Sequence, residues 1–282
     1  SAASDVYKRQ IMGRTIKLLL YYFAYQLAFM GVFLCGYMIF HHTTELPQST
    51  DSTYITLILL AQVLSTAAVG IHLIVGKYVP LDRKTWAYYN SGKVLVAAIL
   101  LIVGMGLWSN YLNELADLPN NMQEIFAMMM QHPLGVVAIT VMAPVIEELL
   151  FRGAIQGHLL RKWKKPLWAI VVSSLIFGIV HGNWVQAPFA FVVGLALGWI
   201  YYHTGSLLPG ILMHFVNNST AVFSFWLSDD PNATMVSTYG PEGAALMAVA
   251  GAILTFVCIK YIQKLLPQPA TWREEQPTST IE

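Results

Sequence analysis

The chain has 282 residues, 56% of them hydrophobic and 11% charged, with a formal net charge of +1. Soluble domains carry about a quarter charged residues, so this chain lacks the polar surface that water demands. The balanced charge excludes a basic nucleic-acid-binding surface. Two cysteines, Cys35 and Cys258, both in apolar runs, exclude a disulfide framework or a zinc knuckle. What remains is an all-α integral membrane protein, a polytopic helical bundle.

In chain order, Ser1 to Gln10 is polar, and residues 1–15 read as a flexible N-terminus. Eight apolar segments follow, each near the 20 or so residues that cross a bilayer, or somewhat fewer inside a bundle. They lie near Ile16–Phe40, Tyr54–Gly76, Val94–Trp108, Leu134–His158, Leu167–His181, Pro188–Tyr202, Leu207–Leu227 and Gly243–Leu266. Residues 16–266 thus form a single transmembrane bundle of about eight helices. The first segment is too long, and too far from an Ala-x-Ala pattern, for a signal peptide. The longest connections are Ser109–Pro133 and Ser228–Glu242. In the former, Met122 to Met130 reads as a short amphipathic helix at the interface, its methionines serving packing or lipid contact rather than a metal. Residues 267–282, with Pro-Gln-Pro and Trp272-Arg273-Glu274-Glu275, read as a flexible tail.

Fifteen of the sixteen lysines and arginines fall in alternate connections: before the first segment, between the second and third, between the fourth and fifth, and around the end of the last. The opposite connections carry only acids, among them Glu45, Asp51, Glu114, Asp117, Glu124 and Glu242. The positive-inside rule then places both termini in the cytoplasm. Tyr21, Tyr22, Trp108, Tyr111, Trp168, Tyr201, Tyr202 and Trp226 sit near segment ends, as an interfacial belt requires.

The sixteenth basic residue, Arg152, lies inside the fourth segment with Glu147 and Glu148. Intramembrane charge costs at least about 2.5 kcal/mol per group, so it is kept with a partner or a task. Residues four apart share a helical face, so Glu148 pairs with Arg152. Glu147 is offset by about 100° and projects elsewhere. A free carboxylate in a low-dielectric site suits a general base near neutral pH; a structural charge cluster or an ion pathway would use the same residues. The fifth segment carries Phe177-Gly178-Ile179-Val180-His181, and the seventh carries His214 and Asn218 four apart on one face. Glu147 and His181 lie about 22 Å along their helices from the basic ends, with His214 shallower unless the His203–Leu208 connection dips inward. His41, His42, His72, His132, His158 and His203 read as interfacial or packing residues. Asn183 and Trp184, just past His181, are alternative substrate contacts.

Glu147-Glu148-x-x-x-Arg152, Phe177-x-x-x-His181 and His214-x-x-x-Asn218, in that order on three segments, resemble the CPBP family: the type II CAAX prenyl endopeptidases and the bacterial Abi, or bacteriocin-processing, proteins. The resemblance covers roughly Leu134 to Leu227. It implies an intramembrane endopeptidase acting on a membrane-embedded or lipidated protein or peptide. Carried over by position, Glu147 with His181 activates a water, His214 and Asn218 line the oxyanion site, and Glu148 with Arg152 supports them. The family has also been described as metalloproteases, and Glu147, His181 and His214 make an alternative zinc set. His-Glu-x-x-His, Gly-x-Gly-Asp and Gly-x-Ser-Gly runs are absent from the chain. A non-enzymatic immunity, transport or scaffold protein is the competing class. A bacterial inner membrane is the expected location, the bilayer a partner and nucleic acid not.

Overall fold

A computed structural model describes residues 2–45, 47, 51–86, 92–228 and 233–270. Among these there is no strand. The helices are α1 (Ala2–Phe40), α2 (Ser52–Val75), α3 (Arg83–Trp86), α4 (Gly92–Ala116), α5 (Gln123–Gln131), α6 (Pro133–Trp163), α7 (Pro166–Val180), α8 (Gln186–Thr204), α9 (Leu207–Leu227) and α10 (Met235–Leu265). All eight apolar segments are helical. Six of them (α1 from Met12, α2, α4, α6, α8 and α10) are long and apolar enough to cross a membrane, and α7 is a shorter apolar helix of 15 residues. The protein is an all-α polytopic membrane protein.

The bundle is arranged around α6. It touches α1, α2, α7, α8 and α9, and each residue from Glu148 to Leu160 is buried. Two apolar clusters flank it. One gathers Leu149, Leu150, Phe151, Ile155 and Leu159 with Leu18 of α1, Leu73 of α2 and Phe177 of α7. The other joins α4, α8 and α10 through Leu101, Ile102, Leu197, Ile200 and Ile262. Exposed apolar side chains such as Leu20, Leu27, Leu246 and Phe256 face outward from α1 and α10, as lipid-facing positions do.

Proline explains the irregularity of α6. The helix widens into π turns over Ala138–Met142, where the Ala143 N–H reaches back five residues to Ala138 O. By that pattern Ile139 O would receive the N–H of residue 144, which is a proline and has none. A buried carbonyl needs another donor, and the Asn218 amide supplies it at 2.9 Å. A second π stretch covers Glu148–Gln156; such bulges recur at functional sites.

The structure departs from the sequence expectations at three places. α1 continues upstream of Ile16 to Ala2, so the expected flexible start is helical over its described residues. The Ser109–Pro133 connection is mostly helix, since α4 runs to Ala116 and α5 follows. Of the expected tail, residues 271–282 lie outside the described residues, but Ala270 N–H bonds to the carbonyls of Tyr202 and His203, closing the C-terminal end of α8. In the other long connection, Gly240 takes φ +72° and breaks the first turns of α10 before Pro241 restarts them, a backbone state that glycine tolerates.

Candidate active site

Glu148 and Arg152 are fully buried and joined at 2.9 Å between Oε1 and Nη1. The helical spacing of four accounts for the pair, as expected from sequence. Arg152 is further fixed by Nη2 donating to Gly194 O at 3.3 Å and by its guanidinium lying 4.4 Å over the Phe177 ring. Such a set of partners offsets the desolvation of a buried ion pair, which Coulomb attraction alone does not reliably do. Gly210 of α9 makes room for the carboxylate: a Cβ there would meet Glu148 Oε2 at 2.8 Å.

Glu147 points away from this pair, with its side chain 17% exposed. It lines a cavity of about 1180 Å³ together with His181, His214, Asn217 and Asn218. The four expected catalytic residues therefore share one space. His181 caps the C-terminal end of α7, with Nδ1 2.7 Å from Phe177 O. An imidazole beside a carbonyl donates from that nitrogen, which leaves Nε2 as the ring's other polar atom.

His214 is closer to the carboxylates than its segment position implied. Nδ1 is 3.2 Å from Glu148 Oε1 and Nε2 is 3.8 Å from Glu147 Oε2. α9 thus brings the ring level with the acidic pair rather than shallower. Asn218 donates one amide hydrogen to Ile139 O, and its own Oδ1 accepts from Asn217 Nδ2 at 3.1 Å. Its amide is therefore held in place between α6 and α9.

Sequence reasoning missed two features. Phe177 is a hub: its ring lies edge-on to His181 (4.8 Å between centroids), His214 (5.7 Å) and Phe151 (5.1 Å), besides carrying Arg152. Gln156 continues the Glu148–Arg152 stripe by four more residues. It is fully buried, donates to Gly198 O at 2.8 Å and accepts from Ser173 Oγ at 3.1 Å. A Cβ at Gly198 would sit 2.7 Å from Gln156 Oε1. The repeat of polar residues every four positions was the available signal. Of the alternative contacts, Asn183 is buried and donates to Asn120 at 2.9 Å, whereas Trp184 is exposed. The six other histidines do not line the cavity; His72, for example, packs against Tyr21, Tyr25 and Tyr78.

Among the described residues, no group of three or more His, Cys, Asp or Glu side chains is gathered as a metal-binding set. The alternative zinc ligands Glu147, His181 and His214 line the cavity without being gathered into one set, and the hydrogen bonds of the two rings leave Nε2 of each available. His181 turns Nδ1 to a backbone carbonyl, and His214 turns Nδ1 to Glu148.

Residues 129–220 match the family model described as type II CAAX prenyl endopeptidase Rce1-like. Through this segment the chain is similar to the type II CAAX prenyl endopeptidases. Similar curated proteins include "Putative membrane peptidase YdiL" of Bacillus subtilis (strain 168), 29% identical over 102 residues, 36% of this chain and 41% of that protein. "Membrane-embedded CAAX protease MroQ" of Staphylococcus aureus (strain USA300) is 26% identical over 136 residues, 46% and 54% of the two chains. "Uncharacterized protein YpbD" of Bacillus subtilis (strain 168) is 27% identical over 128 residues, 44% and 61% of the two. The chain thus spans roughly half the length of the curated relatives it matches. No solved structure matches it. The matched core runs from the end of α5 into α9 and contains every motif residue named above.

Proposed function

We propose that the protein is an intramembrane endopeptidase that hydrolyses a peptide bond of a membrane-associated or lipidated protein or peptide. The observation that carries this reading is the division of labour between adjacent carboxylates. Glu148 is buried against Arg152, while Glu147 faces a cavity with His181, His214 and Asn218. Such a carboxylate can act as a general base, worth about 10²–10⁴ in rate.

In the proposed reaction Glu147 takes a proton from a water held by His181. The water oxygen forms a bond to the scissile carbonyl carbon, and the carbonyl electron pair moves to oxygen. Asn218 and His214 face that oxyanion, His214 turning Nε2 toward the cavity while Nδ1 stays on Glu148. When the tetrahedral adduct collapses, the C–N bond breaks and the proton on Glu147 passes to the leaving amine. Donors already held in place cost no reorganisation at that moment; Asn218, fixed by Ile139, is such a donor. The apolar lining of the cavity, including Met30, Ile55, Ile58 and Phe225, suits a hydrophobic peptide or lipidated segment. The name of MroQ supports a CAAX-type substrate by analogy. The positive-inside rule supports placing both termini in the cytoplasm, and the similarity to bacterial proteins supports a bacterial inner membrane.

The test compares peptide termini in membranes expressing wild type or Glu147→Gln at matched levels. Glu147-dependent termini are expected and would name the substrate. A folded Glu147→Gln variant with undiminished cleavage would refute the assignment, and identical profiles would favour a scaffold or immunity role.

A further inference from the structure

A second polar cluster lies away from the catalytic cavity, where α1 meets the end of α6 and the connection after α2. Arg14 of α1 donates from Nη2 to Tyr78 O at 3.4 Å and lies 5.0 Å over the Tyr78 ring. Its Nε is buried without a hydrogen-bond partner. Arg161 folds back over Gly157, where Nη1 and the Tyr201 hydroxyl would both crowd an added Cβ. His158, near the end of α6, is 9% exposed, with Nε2 buried and unpartnered. The charges of Arg14, Arg161 and Lys162 all bear on its imidazole, and those of Arg14 and Arg161 on each other. Thr15, next to Arg14, is 1% exposed and its hydroxyl is also unpartnered.

Among the described residues, no acid forms a salt bridge with Arg14, His158 or Arg161. Asp82, the carboxylate that bears on Tyr201, is bonded to Thr85 through both oxygens. Positive groups gathered in partial burial repel unless an anion joins them. Basic residues at the cytoplasmic end of a helix serve topology without facing inward; here inward-facing polar atoms from two helices are left without partners. Guanidinium forks match phosphate oxygens in spacing and direction. The neighbouring surface of α1 presents Ile16, Leu20, Phe23 and Leu27, a stripe at spacings of four, three and four that starts at the level of Arg14 and is exposed throughout. That stripe suits acyl chains, which a soluble anion would not use.

We propose that Arg14, His158 and Arg161 form a binding site for a phosphate-bearing anion, supplied by the headgroup of an anionic phospholipid seated against α1. The phosphate oxygens accept from both guanidinium groups and from His158 Nε2, and the acyl chains lie along Ile16 to Leu27. Basic pockets between membrane helices hold anionic headgroups in this manner.

Native mass spectrometry of the purified full chain, titrated with phosphatidylglycerol or phosphatidylcholine, tests the proposal. Preferential retention of phosphatidylglycerol is expected. Arg14→Gln should weaken it about fivefold, and Arg14→Gln with Arg161→Gln about 30-fold, at roughly one basic group's surface attraction each. The control Lys165→Gln with Lys260→Gln removes the same charge from exposed positions and should change retention less than twofold. If the double arginine variant does not fold, Arg14→Gln and His158→Gln singly carry the test. Equal loss in the control would reduce the effect to bulk charge and overturn the site. Unchanged retention in the arginine variants would also overturn it. Inorganic phosphate alone is the third arm: arginine-dependent thermal protection by phosphate equal to that by the lipid would overturn the lipid assignment.

Discussion

Replacing Arg152 by methionine isolates what holds the acidic pair in the bundle. Both Arg152 and Glu148 are fully buried and 2.9 Å apart. Removing the guanidinium leaves an uncompensated carboxylate in an apolar core, at a cost of about 3–5 kcal/mol. Loss of the stacking on Phe177 adds about 1 kcal/mol. A total near 5 kcal/mol corresponds to about a 5,000-fold shift in the unfolding equilibrium. Removing both charges, as Glu148→Gln with Arg152→Met, leaves no buried ion, while Gly194 O loses its donor. That variant should recover at least about 2 kcal/mol of the loss. Reversible unfolding in mixed micelles, followed by circular dichroism as denaturing detergent is added, measures both. An Arg152→Met cost below about 1 kcal/mol, or a double variant less stable than the single one, would refute the argument that the pair's mutual compensation holds it there.

Three further outcomes follow from other contacts. Gly210→Ala places a Cβ 2.8 Å from Glu148 Oε2; overpacking of this kind costs about 1–3 kcal/mol, and a melting point equal to wild type would show that the carboxylate can yield. Asn218→Ala strips Ile139 O of its donor and should cost about 1 kcal/mol along with most of the cleavage, whereas Asn218→Gln restoring both would count against fixed placement. Asp51 caps α2, and its carboxyl is held below its ordinary value first by the Tyr37 hydroxyl, then by the backbone N–H groups of Tyr54 and Thr53. A depressed folded-state value means the charge stabilises the fold above the unfolded carboxyl value, near pH 4, and ceases to as pH falls through the folded value. The stability difference between wild type and Asp51→Asn should therefore be present at neutral pH and vanish in acid; a pH-independent difference would contradict it.

Much of this protein was determined by its sequence alone. Low charge and eight apolar runs leave a helical membrane bundle as the viable solution, because backbone groups in lipid must bond within their own segment. The Glu148–Arg152 pair followed from a spacing of four, which brings side chains together on one helix whatever surrounds it. The ordered motifs on three segments pointed to the four residues around the cavity. Contacts between helices were decided only by the tertiary structure, since helical periodicity gives a face but neither an azimuth nor a depth relative to neighbours. His214 reaches Glu148 because α9 approaches closely at Gly210. Asn218 meets Ile139 because Pro144 leaves a π-turn carbonyl without its N–H. Gln156 and Phe177 gain their roles from α8 and from the rings beside them. The unpartnered atoms of Arg14 and His158 are likewise visible only once α1 has been laid against the end of α6.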